Sequence, residues 1–198
     1  REVFMLSMQL LIYRLLVYPG TTALAQSLFR YLTRRGAVVG SSDTSEFGPT
    51  RADDFFKGSS VMQARSGLRQ LRTIEDNISH RLNMARLYDE LLENKGFKGR
   101  NYDKAVTAPV MVRYPLRITQ KQEALAQAAK AGIELGSWFE CPLHPIETPL
   151  ASYDYQIGTC PQAEKAAREV VNLPLHPRVN IRTVEKTVNF ITRFTQAG

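Results

Sequence analysis

Residues 60–96 constrain this chain more than any other stretch, because their pattern reads as a single long helix. Val61, Ala64, Leu68, Leu71, Ile78, Leu82, Ala85 and Leu92 recur at spacings of three and four, and Ile74 and Tyr88 fill the two gaps. That is one continuous apolar helix face. Ser60 and Gln63 have the spacing of a capping box, in which each side chain satisfies the other residue's orphan amide. Asn94, Lys95 and Gly96 close the segment. At about 1.5 Å of rise per residue the helix would be roughly 50 Å long, more than a domain of this size needs for its own core. It is expected to run from one domain or subunit to another.

A chain of 198 residues has room for one full core, or for a small domain and part of a neighbour. Its 43% apolar and 23% charged residues are those of an ordinary soluble protein. The formal charge of +7 is not gathered into a basic stripe with interleaved aromatics, so no nucleic-acid partner is expected. The two cysteines, Cys141 and Cys160, lack any metal-ligand spacing and read as reduced thiols in a cytoplasmic protein. The three histidines, His80, His144 and His176, are too far apart for a local zinc motif, so no metal site is expected. The chain opens on Arg1 and passes almost at once into an apolar run, as a fragment would.

That run, residues 4–18, is apolar nearly all round, broken by Ser7, Gln9 and Arg14. It is too short to span a bilayer and lacks a signal-peptide cleavage site. A second helical stretch follows to Thr33, with Leu24, Leu28, Phe29 and Leu32 on one face and Arg30, Arg34 and Arg35 toward its end. The pair reads either as a buried hairpin or as a surface resting on a membrane with its arginines among the headgroups. Burial is favoured, since a helix apolar on every side belongs in a core or an interface. Residues 36–58 have the composition of an exposed connection. Residues 1–58 are therefore read as a helical segment and linker, and residues 59–198 as the long helix followed by a small domain.

Within that domain Val110, Val112, Tyr114, Leu116 and Ile118 alternate with polar or turn residues, which predicts a half-buried strand. Pro115 marks it as an edge strand. Thr119 and Gln122 repeat the capping-box spacing before a helix that stops at Gly132, and residues 133–139 can return as a strand. Residues 141–149 hold three prolines and His144 and must form a stiff loop. A helix opening at Thr159 and Pro161 runs to Val170, a short strand follows at 173–175, and a last helix carries Val184, Val188, Ile191 and Phe194 on one face. The expected class is α+β: an N-terminal helical segment, one long connecting helix, and a small domain whose short sheet is covered by helices.

Periodicity stops at architecture, but the residues themselves are more specific. Met62-Gln63-Ala64, Gly67-Leu68-Arg69-Gln70-Leu71 and Arg81-Leu82-Asn83-Met84-Ala85-Arg86-Leu87-Tyr88 resemble the long helix of the DegT/DnrJ/EryC1/StrS family of sugar aminotransferases. In the same order, Val112-Arg113-Tyr114-Pro115-Leu116-Arg117 resembles that family's small-domain strand. Gly132-Ile133 with Pro142-Leu143-His144 resembles its substrate-side loop. Cys160-Pro161-Gln162-Ala163-Glu164-Lys165-Ala166 and Asn172-Leu173-Pro174-Leu175-His176 resemble its closing helix and strand.

The resemblance implies the small-domain part of an aspartate-aminotransferase-like fold, and thus the C-terminal half of a fold-type-I enzyme. Such an enzyme uses pyridoxal phosphate to aminate a nucleotide-linked keto sugar, in cell-surface polysaccharide or secondary-metabolite biosynthesis. In the family the Schiff-base lysine, the aspartate at the pyridine nitrogen and the phosphate cup come from a preceding large domain. No catalytic or cofactor-binding residue, and no bound cofactor, is expected in this chain alone. His144 matches a family histidine facing the sugar, while Trp138 and Phe139 stand where many members have His-Tyr; these three are the candidate substrate-binding residues. Phe56 and Gly58 replace the asparagine and arginine with which many members reach the partner subunit's cofactor phosphate. His176 reads as structural and His80 as a residue on the polar side of the long helix. The expected partners are a second copy of the chain or the N-terminal half of the enzyme, with a nucleotide-sugar substrate in the whole. Two other functions compete: a non-catalytic interaction module derived from that half, and a peripheral membrane protein acting through residues 1–35.

Overall fold

The computed structural model describes residues 58–97, 109–144 and 150–194, together with Phe4, Ser7, Met8, Leu11, Ile12, Leu15, Thr21, Leu28, Tyr31, Leu32 and Arg35. The chain divides into two compact units, Arg1–Glu75 and Asp76–Gly198.

In the first unit, Phe4, Ser7, Met8, Leu11, Ile12, Leu15, Leu28, Tyr31 and Leu32 are helical. The described apolar positions Phe4, Met8, Leu11, Ile12, Leu15 and Leu28 of this segment are exposed, so the core of this chain does not cover them. Helix α1, Val61–Leu71, begins with the expected capping box. The Ser60 amide donates to Gln63 Oε1 at 2.8 Å, and the Gln63 amide donates to Ser60 Oγ at 3.3 Å. α1 buries none of its residues, and Leu71 is 64% exposed.

The long helix of the sequence reading is two helices, because the ladder is interrupted at Arg72 and Thr73 before α2, Ile74–Glu93. The Thr73 amide and hydroxyl both donate to Gln70 O, at 3.1 and 3.2 Å. A threonine hydroxyl offers the backbone an alternative to the regular i−4 bond, and here it coincides with the break. α2 closes at the Asn94–Gly96 turn, where Gly96 takes a φ of 84°, open to glycine at little cost.

The second unit holds the core. Strand β1, Arg113–Arg117, pairs antiparallel with β2, Val170–Pro174. Tyr114, Ile118, Val171 and Leu173 are buried on the inner side with Ala85, Tyr88 and Leu92 of α2. The Tyr88 and Tyr114 rings meet at a centroid distance of 5.0 Å, a favourable aromatic separation. Val110 and Val112 depart from the predicted alternation. Val112 is 70% exposed, while Met111 packs on the core, so the inward phase changes before the strand begins. Arg81 of α2 sets that segment, donating from Nη1 to Val112 O at 2.6 Å and from Nε to Asn77 Oδ1 at 2.6 Å.

Pro115 costs β1 nothing. It stands opposite Asn172, whose own amide and carbonyl turn away from β1 to pair with Gly136 at 2.9 and 2.8 Å. Pro115 thus occupies a position of the ladder that needs no donor, on an edge strand. Gly136 is also all that forms of the strand expected at 133–139: a single antiparallel bridge to Asn172.

Helix α3, Lys121–Ala131, lacks the expected Thr119–Gln122 box. Its N-cap is Gln120 with no side-chain bond, and the Thr119 hydroxyl goes instead to Phe194 O at 3.2 Å. Gly132 ends α3 in the left-handed region at φ 61°, as its sequence position predicts. Helix α4, Pro161–Glu169, starts with proline in its first turn and stops one residue short of Val170, which turns extended and opens β2. Helix α5, Ile181–Ile191, is capped by Asn180, whose Oδ1 accepts from the Thr183 amide at 2.9 Å. Val184, Val188, Ile191 and Phe194 are all buried, as the last helical pattern predicts. From residue 58 on, the described residues form an α+β fold of five α-helices and a two-stranded sheet.

Candidate functional site

The outer side of the sheet and the segment after Gly136 bring the three candidate residues together. The His144 ring lies 5.4 Å from that of Phe139, edge to face, and 6.1 Å from that of Trp138. Trp138 is 48% exposed and Phe139 61%, so the cluster is an aromatic wall open to solvent rather than part of the core. His144 Nδ1 accepts from the Glu140 amide at 3.4 Å, which leaves the ring proton on Nε2 of the neutral imidazole. The peptide between Trp138 and Phe139 is cis.

Groups that the sequence reading did not assign to this site position the wall. Arg113 of β1 places its guanidinium carbon 5.2 Å from the centre of the Trp138 ring, a cation–π arrangement. Glu134 holds that arginine from the other side at 3.9 Å and accepts from His176 Nε2 at 3.0 Å. His176 Nδ1 in turn accepts from the Arg178 amide at 3.3 Å, so this histidine is a structural link, as its strand context predicts. Gly136 makes room for the arginine: a methyl group there would stand 2.9 Å from Arg113 Nη1 and 3.1 Å from Asn172 Cβ. A lone glycine inside a strand pattern signals such close approach, and that was the available clue.

Lys121, at the first position of α3, is 3% exposed. Its Nζ donates to Ser137 O at 2.9 Å, Phe139 O at 3.0 Å and Ala167 O at 2.7 Å. Burial pushes this lysine below the usual ammonium range, and the Glu140 carboxylate, itself bonded by the Ser137 hydroxyl, partly opposes the shift. A cation at a helix N-terminus opposes the dipole, an anomaly the sequence did display.

Other polar groups lie deeper. Tyr88 is fully enclosed; burial above all, with the charge of Glu134 adding and Thr187 opposing, raises its phenol well above the ordinary tyrosine value. Asn172 is 8% exposed, and its Oδ1 finds no hydrogen-bond partner among the described residues. His80 is not simply on a polar face: it is half-buried, with Nε2 enclosed and unpartnered among the described residues. Beyond the wall, Glu164 of α4 accepts from Tyr155 Oη at 2.9 Å and the Gly158 amide at 2.6 Å. Those bonds, the amide's first, hold its carboxyl below the ordinary range, while Tyr155 is pushed up to about 12 by desolvation and then by Glu164. Among the described residues there is no cluster able to hold a metal ion and no helix long and apolar enough to cross a membrane. Phe56 lies outside the described residues.

The fold is similar to those of known proteins. A solved structure of S. venezuelae DesV in complex with a ketimine intermediate superposes with a TM-score of 0.58 at 20% identity, over 75% of this chain and 41% of that one. A DegT DnrJ EryC1 StrS aminotransferase from Brucella abortus gives 0.57 at 24% identity, over 75% and 40%. The aminotransferase TlmJ from Streptoalloteichus hindustanus gives 0.53 at 20%, over 72% and 41%. A pleiotropic regulatory protein of Geobacillus stearothermophilus is 32% identical over 85 residues, 43% of this chain and 23% of that protein. The chain thus spans about two-fifths of the solved relatives and under a quarter of that regulatory protein. The model of the DegT/DnrJ/EryC1/StrS aminotransferase family matches residues 60–192, and the chain belongs to that family.

Proposed function

We propose that this chain is the C-terminal portion of an aminotransferase acting on nucleotide-linked keto sugars, and that Trp138, Phe139 and His144 form the substrate-facing wall of its small domain. The observation that carries this reading is the convergence of two exposed rings, Trp138 and Phe139, and the half-buried His144 beside Arg113. Flat aromatic faces pack on a sugar ring or a base, an imidazole N–H donates to a hydroxyl, and a guanidinium pairs with phosphate.

The family's enzymes are pyridoxal-phosphate-dependent aminotransferases. The described residues of this chain do not fit that cofactor. Its one buried lysine among them, Lys121, has all three N–H donors engaged by carbonyls, so the nitrogen has no free lone pair for a carbonyl substrate. In our reading the cofactor is held by a large domain that completes the enzyme, and amino transfer requires that domain.

Trp138 is the only tryptophan of the chain, so its emission reports on the wall directly. Titration with UDP-N-acetylglucosamine and dTDP-glucose is expected to quench it saturably, with competition by the nucleoside diphosphate and a weaker response in His144→Ala. Absence of any saturable response to either compound counts against the reading.

A second reading rests on α1, whose Val61, Met62, Leu68 and Leu71 are all exposed. Contiguous apolar surface of this kind marks an interaction site. It supports self-association or docking of the N-terminal half, whether in the enzyme or in a non-catalytic module.

A further inference from the structure

Lys121 presents a problem in physical chemistry. An ammonium removed from water is costly unless every donor is bonded, and no carboxylate is among its hydrogen-bond partners. A methionine would fill the same space without that cost. What the ammonium supplies is a three-way tie between separate parts of the chain. Two of its acceptors, Ser137 O and Phe139 O, bracket the Trp138–Phe139 pair. The third, Ala167 O, lies in the last turn of α4, where carbonyls lack intrahelical partners. Two other carbonyls of this turn have their own donors: Ala166 O accepts from Val170 and Glu169 O from the Ile118 amide at 2.9 Å. Lys121 therefore completes the end of α4, where positive charge suits the dipole, and uses that rigid end as an anchor.

We propose that Lys121 is a positioning residue: its buried ammonium pins the backbone on both sides of the Trp138–Phe139 pair to the end of α4, and so sets where the aromatic wall stands. Residues 137–140 form no regular strand, and their backbone is joined to β2 only through the Gly136 bridge. Without the ammonium, three carbonyls lose their donor in a site with little water. The segment relieves this by moving outward, carrying Trp138 off Arg113. The role in substrate binding rests on the function proposed above, whereas the pinning does not.

The test uses the full chain and the fluorescence of Trp138. Lys121→Met keeps the length of the side chain and removes all three donors. With far-UV circular dichroism unchanged, its Trp138 emission should shift to the red and acrylamide quenching should rise at least about twofold. Lys121→Arg, which restores donors, should return toward the parent values. A folded Lys121→Met chain with parental emission and quenching overturns the proposal. Should Lys121→Met not fold, amine labelling of the parent chain decides. Lys121 is expected to react with acetic anhydride at least about tenfold more slowly than Lys130 and Lys165, and labelling at the surface rate overturns the proposal. Titration of both chains with UDP-N-acetylglucosamine separates the two readings. A parent that does not respond, beside a Lys121→Met chain with altered quenching, removes the substrate and leaves the pinning. A parent that responds should lose at least about fivefold in affinity on Lys121→Met.

Discussion

The guanidinium of Arg113 stands 5.2 Å from the centre of the Trp138 ring, and the absence of a side chain at Gly136 is what admits it there. Gly136→Ala would put a methyl 2.9 Å from Arg113 Nη1 and 3.1 Å from Asn172 Cβ, and Asn172 cannot retreat because its backbone is bonded to residue 136. Overpacking of this kind typically costs about 1–3 kcal/mol. The variant should lose that much in urea unfolding and show altered Trp138 emission. An unchanged midpoint with unchanged emission would mean that the arginine yields freely.

Leu71 of α1 and Leu173 of β2 are expected to respond in opposite ways. Leu71 is 64% exposed, so Leu71→Asp should move stability of the isolated chain by less than about 0.5 kcal/mol, the usual range for surface changes. Leu173 is fully buried, and Leu173→Ala should cost about 2–5 kcal/mol. If α1 is an interaction face, Leu71→Asp should also weaken self-association in sedimentation and reduce binding of a hydrophobic dye. A large loss of stability at Leu71 would show that the chain itself covers this face.

Glu164 and Tyr155 make stability depend on pH at both ends of the scale. The carboxyl of Glu164 lies below its ordinary value of 4.5, so its contribution is present above that pH and is lost as pH falls through the lowered value. Tyr155, raised from 10.0 to about 12, contributes fully below pH 10 and loses that contribution as pH rises through the raised value. Urea midpoints followed into acid should fall less steeply for Glu164→Gln than for the parent. Parallel acid limbs would remove Glu164 from the explanation.

Reduction with borohydride in the presence of pyridoxal phosphate tests whether Lys121 is available as an amine. Mass spectrometry should find substoichiometric labels on exposed lysines such as Lys95, Lys130 and Lys165, and none on Lys121. A single stoichiometric adduct at Lys121 would contradict the hydrogen bonds assigned to it.

What the sequence determined by itself is what neighbouring residues decide among themselves. The Ser60–Gln63 box, the Asn94–Gly96 stop, the left-handed Gly132 and the packed face of Val184, Val188 and Ile191 each depend on groups within about one or two turns. The family was legible for a similar reason, since its motifs are short runs in a definite order. The same local logic misassigned Thr119, because Phe194, 75 residues away, offered its hydroxyl an acceptor. It also overestimated the strand at 133–139, where only Gly136 lies close enough to Asn172 to pair. Tertiary structure alone decided the surroundings of the candidate site. Lys121 meets carbonyls 16, 18 and 46 residues along the chain, and Arg113 reaches Trp138 across the sheet edge. No periodicity encodes those meetings, because an ammonium is worth burying only where three unpaired carbonyls converge, and the packing of α3, α4 and the 137–139 segment creates that convergence.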